Sequence, residues 1–364
     1  MKYRYTAEEK FIVWLDSFDE LTQREKSEIL ENIPAKELLS DFQGQRERLL
    51  KIISKEKYAL LCEKLKDTEY LSSLLYELEK KGIFCITRLS ADYPSDLSLF
   101  PANPVLFYCM GNGELLKKRK FAVVGSRKTV PWARALTERI SAALSEHFVI
   151  VTGIAEGGDA AAIKGALHGG KGANLICVLP YGLDWVYPRS HASLLKEIAR
   201  EGLLITEHKP SVKAQKFLFP VRNRIIAELS EGVLVVGAAK RSGAAITARY
   251  AAEYGKDVFA VPYNPGIKEG EGCNALLKLG ALLTESEEDI LSYYGLEYKT
   301  QKNDVSQEEQ RILDVLRENG ELHVEKLAAA LTLPVYILSG TLSGLEVKGL
   351  VVRSGGNRYS VVGK

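Results

Sequence analysis

The sequence predicts an α/β protein in which a doubly wound parallel sheet lies between a helical N-terminal region and a C-terminal module of three helices and a hairpin. Three observations support this class. Residues 1 to about 80 show helical spacing of apolar residues, short apolar runs alternate with helical stretches from residue 121 onward, and a hairpin signal closes the chain. Strands that alternate with helices and are buried on both faces form a parallel sheet covered on both sides.

The N-terminal region, 1–80, predicts helices only. Apolar residues recur at spacings of three and four, with charged residues between them, and Pro34 and Gly44 mark breaks. The predicted helices are 8–18, 21–33, 35–42, 46–65 and 69–82. The Pro-rich segment 81–112 predicts an irregular connector with a short strand in VLFYCM.

The central region, 113–295, predicts the sheet and the helices that cover it. The predicted strands are 121–125, 148–153, 173–180, 202–208, 232–239 and 257–262. They alternate with helical stretches at 131–146, 160–170, 191–202, 222–232 and 245–255. Helices placed between consecutive strands predict crossover connections and hence a doubly wound sheet.

The C-terminal region follows a polar linker, 296–306. Helical stretches at 308–319, 324–331 and 334–349 precede a hairpin that turns at Gly355-Gly356-Asn357. Three helices and a two-stranded wing over 307–364 predict a winged-helix domain. Its candidate recognition helix, 334–349, is expected to bury Val335 and three leucines and carries Lys348 as its only cation. Because residues 306–364 hold seven basic and seven acidic residues, partner docking or an accessory role is favoured over the reading of duplex DNA.

Composition limits the class of partner and the compartment. The 49 Lys and Arg nearly balance the 47 Asp and Glu, so binding of a polyanion requires a local basic patch. Five cysteines without a C-x-x-C pair favour buried, reduced thiols. The start lacks a leader-like apolar run, and no run reaches the roughly 18 apolar residues of a membrane span. We therefore expect a soluble, cytoplasmic protein with no membrane partner.

Ligands of open α/β sheets bind beyond the carboxyl ends of the strands, so those loops hold the candidate site. Gly125-Ser126-Arg127 follows the first central strand; the glycine permits close approach and the arginine suits a phosphate. A plain turn with a surface arginine is the alternative. The spacing is not G-x-G-x-x-G, which argues against a dinucleotide site.

The next loop, 152–161, holds the glycines Gly153, Gly157 and Gly158. Here Asp159 is expected to cap the following helix rather than to act in catalysis. Farther along, Ser242-Gly243 leaves a strand and opens a helix, whose free N–H groups and dipole favour an anion.

The basic-aromatic segment, 209–224, combines cations with aromatic residues and contains no acid. Cations for phosphates and rings for bases are what a single strand requires, although a basic run is also typical of a merely solvated face. Phe219 is the expected stacking residue, with Phe217 as the alternative. The histidines show no metal-ligand spacing and no paired carboxylate, so we predict a binding protein that has no cofactor or metal site and is not an enzyme.

These motifs resemble the DNA-processing protein A family (DprA, also called Smf). The resemblance runs through FAVVGSR (121–127), TGIAEGGDAAAIKGAL (152–167), CVLPYGLDWVYP (177–188), FPVRNRIIAELS (219–230), VLVVGAAKRSGAAITARYA (233–251), VFAVP (258–262) and GCNALLKLGA (272–281). It implies a helical SAM-like N-terminal domain, a Rossmann-like sheet and a winged-helix domain. It further implies a homodimer that binds single-stranded DNA and loads RecA onto it during natural transformation.

The resemblance also implies site residues. The predicted DNA-binding set is Gly125, Ser126, Arg127, Gly153, Lys216, Phe219, Arg222, Asn223, Arg224, Ser242, Gly243 and Thr247. The chain departs from the family pattern at Glu156, which replaces a cation, and at Gly158, Ile163-Lys164 and Gly237. Lys164 and Lys171 are the candidates to replace the missing charge.

Two other functions compete with this one. Related Rossmann-like folds bind or hydrolyse nucleotides, but such an enzyme needs a catalytic acid or arginine in its last Gly-rich loop, where this chain has Ser242-Gly243-Ala244-Ala245. A transcription regulator is suggested by the winged helix alone.

Overall fold

A computed structural model describes residues 4–94, 97, 103–169, 173–297 and 305–362. The helices are α1 Ala7–Asp16, α2 Gln23–Asn32, α3 Ala35–Ser40, α4 Arg46–Leu49, α5 Lys55–Lys64, α6 Tyr70–Lys80, α7 Pro131–Leu144, α8 Gly158–His168, α9 Ala192–Glu201, α10 Leu218–Glu228, α11 Gly243–Glu253, α12 Glu271–Lys278, α13 Glu287–Tyr293, α14 Gln307–Asn319, α15 Val324–Leu331 and α16 Val335–Val347. The strands are β1 Phe84–Thr87, β2 Leu106–Gly111, β3 Lys120–Val124, β4 Val149–Thr152, β5 Leu175–Val178, β6 Leu203–Thr206, β7 Gly232–Val235, β8 Asp257–Ala260, β9 Leu282–Leu283, β10 Leu322–His323, β11 Val351–Ser354 and β12 Arg358–Val361.

The chain divides into two compact units. The first unit contains Met1–Lys118 and Ile176–Arg222, and the second contains Arg119–Leu175 and Asn223–Lys364. The predicted domain boundaries at 80, 112, 295 and 306 follow sequence character and stay predictions.

The first unit begins with α1–α6, which confirm the helical N-terminal region. Their core forms around Trp14, whose ring lies 4.8 Å from that of Phe18 and 5.3 Å from that of Phe11. The single helix predicted over 46–65 is wrong. Helix α4 ends at Leu49, and a new helix, α5, begins after Ser54, whose hydroxyl caps it by accepting a hydrogen bond from the Lys57 amide at 3.3 Å.

The first unit continues with strands in the order β1-β2-β6-β5. The prediction of an irregular connector over 81–112 is therefore incomplete, since β1 pairs antiparallel with β2 and β2 pairs antiparallel with β6. A buried contact ties α1 to this sheet: the Tyr108 hydroxyl donates to Asp16, which also holds the Lys26 ammonium at 3.0 Å.

The second unit contains the strands β4-β3-β7-β8-β9. In it β3 pairs in parallel with β4 and β7, and β8 pairs in parallel with β7 and β9. Since β5 and β6 are also parallel, the prediction of a doubly wound α/β fold is confirmed. The central strands carry fully buried apolar side chains such as Phe121 and Val235. Such runs are typical of strands covered on both faces.

The predicted winged-helix domain is confirmed, and it lies in the second unit. Its strands run β10-β12-β11, so the wing has one strand more than expected. The hairpin turns where predicted, with Gly356 and Asn357 at left-handed φ of 72° and 55°. Leu338, Leu342 and Leu345 are buried as expected. The predicted burial of Val335 is wrong, because this side chain is 42 % exposed.

Two sequence predictions concern thiols and membrane spans. Four cysteines are buried and free, and Cys62 is half-buried and free. Burial raises the pKa of Cys273 to about 12. Over the described ranges, no single helix is long and apolar enough to cross a membrane. Helices α15 and α16 together have the length and apolar composition of a membrane span, but the chain bends by 107° between them. Their leucines form the core of the winged-helix domain.

Candidate nucleic-acid interface

Three loops of the second unit meet at one edge of its sheet. They follow β4, β3 and β7, which are neighbouring parallel strands. Backbone hydrogen bonds join these loops: the Ser126 amide donates to the Gly237 carbonyl at 2.7 Å, and the Gly158 amide donates to the Ser126 carbonyl at 3.1 Å. The sheet topology therefore gathers the predicted phosphate loops, as expected for strand ends of an open α/β sheet.

Asp159 holds the loop after β3 against the loop after β4. One carboxylate oxygen accepts from the Gly125 amide at 3.1 Å and the other from the Ala155 amide at 3.2 Å. The prediction of Asp159 as the helix cap is wrong, because α8 begins one residue earlier and its cap position is Gly157 at φ 82°. The carboxylate is buried and fixes backbone geometry rather than facing a ligand.

Two glycines bring these loops into contact. A β-carbon on Gly158 would lie 2.4 Å from the Gly125 Cα, so a larger residue could not fit without a shift. Gly153, by contrast, is buried at the end of β4. Arg127 is exposed at the tip of the first loop.

The helix start predicted at Ser242-Gly243 is confirmed. Ser242 occupies the cap position of α11, and its hydroxyl accepts from the Ala245 amide at 3.3 Å. The side-chain amide of Asn223 donates to the Gly243 carbonyl at 3.0 Å, and the Thr247 hydroxyl donates to the same oxygen at 3.3 Å. Asn223 and Thr247 are buried, so both position this turn. The partial positive charge of the α11 N-terminus then faces the loop edge.

The arginines of the R-N-R motif are not placed as predicted. Arg222 is only 4 % exposed, and its guanidinium donates to the Val178 carbonyl at the end of β5. Arg224 lies 3.5 Å from the fully buried carboxylate of Glu228. Burial, followed by the nearby Glu228 charge, raises the pKa of Tyr254 above its ordinary value, which keeps that hydroxyl protonated. The structure thus gives both arginines internal partners, and the expectation that they present their charge to a phosphate needs correction.

Three exposed cations were missing from the predicted set. Lys128 follows Arg127, and Lys240-Arg241 precedes the Ser242 cap, so all three lie in the loops that carry the site. The sequence signal was available in GAAKRSG, where two cations stand directly before a helix start. Glu156 is exposed in the remaining loop. Lys164 pairs with Glu138 at 2.8 Å, and Lys171 lies outside the described residues.

In the first unit, the basic-aromatic segment is partly exposed. Lys216 is exposed and Phe217 is 62 % exposed, whereas Phe219 is half-buried with its ring 6.1 Å from that of Tyr187. Lys209 is held by Asp19 at 2.5 Å. Both phenylalanines therefore remain candidates for stacking on a base. Lys209 is no longer a candidate for contacting a phosphate, because Asp19 binds its ammonium group.

Comparison with known proteins identifies the family. A family model described as DNA recombination-mediator protein A matches residues 84–295, more than half of the chain, and the DprA winged helix domain matches residues 298–357. This chain belongs to the DNA recombination-mediator protein A family. The resemblance drawn from the motifs is thereby confirmed, and the chain is a DNA-processing protein of the recombination-mediator class.

Individual DprA and Smf proteins are similar over part of this chain. The DNA processing protein DprA of Streptococcus pneumoniae is 40% identical over 218 residues, which are 60% of this chain and 76% of that protein. Protein Smf of Escherichia coli is 37% identical over 235 residues, 63% of this chain and 62% of that protein.

Solved DprA structures agree with the fold. The X-ray structure of DprA from S. pneumoniae superposes with a TM-score of 0.67 at 34% identity, covering 82% of this chain and 100% of that one. A DprA structure from Helicobacter pylori, described for its single-stranded DNA binding mode, gives a TM-score of 0.53 at 28% identity over 58% of this chain and 95% of that one.

Proposed function

We propose that this protein binds single-stranded DNA through the exposed cations of its strand-end loops and loads RecA onto the bound strand during natural transformation. Family membership supports the recombination role, and the H. pylori relative is described as binding single-stranded DNA. We extend that ligand to this chain on the chemistry of its own loops.

The observation that carries the proposal is the loop edge of the second unit. Arg127 and Lys128 are exposed in one loop, and Lys240 and Arg241 are exposed before the α11 N-terminus. Hydrogen bonds between the loops join the backbones that carry these cations, since the Ser126 amide donates to the Gly237 carbonyl at 2.7 Å. Cations and a helix N-terminus together suit a chain of phosphates, and they carry no pattern that would read base edges.

The basic-aromatic segment of the first unit supports a single strand rather than a duplex. Lys216 supplies charge, and Phe217 and Phe219 supply rings. Bases stack on such rings only when they are unpaired and accessible. Lys216 and Phe219 remain our proposed contacts, together with Gly125, Ser126, Ser242 and Gly243. Of the other predicted residues, Arg222, Asn223 and Thr247 bond to backbone carbonyls, Arg224 pairs with Glu228, and Gly153 is buried.

Assembly, compartment and lack of turnover belong to the same proposal. A homodimer in the bacterial cytoplasm that docks RecA is what the family resemblance implies. We further propose that the protein is not an enzyme, because Asp159, the buried carboxylate at the start of α8, accepts hydrogen bonds from two backbone amides. A nucleotide-binding or nucleotide-hydrolysing enzyme is the alternative.

One binding series tests the proposal. Fluorescence anisotropy of labelled single- and double-stranded oligonucleotides of equal length should show preferential binding of the single strand. AMP, ATP and NAD, added as competitors, should displace little of it, and chromatography of the mixtures should show no product above buffer. Equal affinity for duplex, or turnover of one nucleotide, would contradict the proposed function.

A further inference from the structure

The loop after β5 carries exposed aromatic residues that the proposed site does not use. It contains the motif DWVYP, in which Trp185 is 38 % exposed and Tyr187 is 47 % exposed. A pair of large rings left in solvent two residues apart is unusual for a surface loop and indicates a binding role.

Contacts with the basic-aromatic segment hold this loop in place. The Gly182 amide donates to the Val212 carbonyl at 2.9 Å, and the Trp185 indole N–H donates to the Ser211 carbonyl at 3.2 Å. A β-carbon on Gly182 would lie 2.1 Å from the backbone oxygen of Pro210, so the loop and the segment approach each other as closely as a glycine permits. The loop and the segment therefore form one continuous surface within the first unit.

Tyr187 is fixed from two sides. Its ring meets that of Phe219 edge-on at 6.1 Å, and its carbonyl accepts from the Tyr181 hydroxyl at 2.8 Å. Burial raises the pKa of Tyr181 to about 12, so this hydroxyl stays protonated and keeps donating. Rings held in this way lose little conformational entropy when a flat ligand stacks on them.

The charges around these rings are positive. The Lys213 ammonium lies 5.1 Å from the centre of the Trp185 ring, and Lys216 is exposed on the same segment. The acid next to Trp185, Asp184, is paired with Lys81 at 3.2 Å. A polyanion that also presents flat, apolar groups matches this combination of rings and cations.

We propose that Trp185 and Tyr187 stack on bases of single-stranded DNA while Lys213 binds a neighbouring phosphate. This inference rests on the proposed function and extends its contacts to a loop outside the predicted DNA-binding set. Stacking of this kind tolerates any base sequence, because every base has a π-face. It accounts for the exposure of the Trp185 and Tyr187 rings and for the position of the Lys213 ammonium beside Trp185.

Tryptophan fluorescence of the full chain tests the stacking directly. Titration with an oligo-dT should quench the wild-type signal, and an abasic oligonucleotide with the same number of phosphates should quench it far less. Trp185→Phe should lose the quench yet bind within a few fold of wild type, since phenylalanine still stacks. Trp185→Ala should bind oligo-dT roughly tenfold more weakly. Trp132→Phe is the matched control, because it removes a half-buried tryptophan elsewhere and should keep the quench.

The outcomes separate this inference from the proposed function. Should wild-type protein bind oligo-dT without a change in fluorescence, with Trp185→Ala binding normally, the loop is not a base contact, while single-strand binding stands. Equal loss of oligo-dT and abasic binding in Trp185→Ala, together with a lower melting temperature, would assign Trp185 a structural role and overturn the inference. Failure of wild type to bind any single strand would overturn both.

Discussion

Arg127 stands in a loop whose backbone is fixed by its neighbours, since the Ser126 amide donates to Gly237 and the Gly125 amide donates to Asp159. Removing its side chain should therefore cost binding and not folding. We expect Arg127→Ala to weaken single-strand affinity by about 1–3 kcal/mol, the range of charge-assisted contacts. Anisotropy and thermal melting on one preparation measure both quantities.

The control for this substitution is Arg200→Ala, which removes a 73% exposed side chain on α9. It should leave both affinity and melting temperature unchanged. If Arg127→Ala and Arg200→Ala bind alike, the loop after β3 is an ordinary turn.

Arg222 has the opposite expectation because it is buried and donates to the Val178 carbonyl. Arg222→Ala leaves that carbonyl without this donor and opens a cavity. The free energy of unfolding should fall by about 2–4 kcal/mol. Urea denaturation measures this, with Lys216→Ala, an exposed cation of the same segment, as the stable comparison. An Arg222→Ala protein of normal stability that binds DNA poorly would instead restore Arg222 as a phosphate contact.

At the scale of elements, the winged-helix domain contains an ion pair that links the start of α14 to the end of α16. The Lys348 ammonium lies 2.8 Å from Glu309 and, with the Ser306 amide, holds the pKa of Glu309 below its usual value of 4.5. The unfolded form then binds the proton more readily than the folded form does. The pair therefore contributes stability at neutral pH that is lost as the pH falls through and below that usual value.

Glu309→Gln should remove this part of the acid sensitivity. The fragment 305–364, which contains its own apolar core, can be followed by circular dichroism during acid titration. Glu318→Gln, on the exposed face of the same helix, serves as control and should titrate like the parent fragment. Identical acid transitions in all three proteins would show that the pair contributes nothing measurable.

Another element-scale prediction concerns deletion of the linker and winged-helix domain, 296–364. The domain has balanced charge, and its exposed recognition-helix positions include Tyr336 and Gly340 rather than cations. We expect the shortened chain to keep single-strand affinity within about threefold, since little electrostatic attraction is removed. A large loss of single-strand affinity on deletion, measured by anisotropy titration, would place the DNA on the winged helix.

For the whole molecule, a near-neutral net charge of +2 means that DNA binding depends on local cations. Six exposed cations of the loops and the segment are the expected phosphate contacts: Arg127, Lys128, Lys213, Lys216, Lys240 and Arg241. Each contact with single-stranded DNA releases roughly 0.7 counterions. A plot of the logarithm of the binding constant against the logarithm of salt concentration should therefore have a slope of about −4. Anisotropy titrations over a salt series give the slope. A flat response would mean that these cations do not contact phosphates.

The sequence by itself determined the order and type of most elements. Apolar periodicity of two kinds located the central strands and helices, and the strand-end rule placed the Arg127 loop and the Ser242 turn at one edge of the sheet. A helix cap such as Ser242 is a local feature, so it needs only neighbouring residues to be predicted. The β1 strand was missed because it is only four residues long, and because Pro94, Pro101 and Pro104 farther along the segment favoured an irregular connector.

Tertiary structure alone decided which cations and rings reach solvent. The sequence predicted a helix from Arg222, but α10 begins at Leu218, which places Arg222 one turn later on the buried stripe with Ile225 and Ile226. The same packing covers part of Phe219 and leaves Phe217 open. Exposure depends on which face of an element meets its neighbours, and those neighbours come from distant parts of the chain. An arginine that binds a phosphate and an arginine that binds a buried carbonyl therefore look alike until the fold is known.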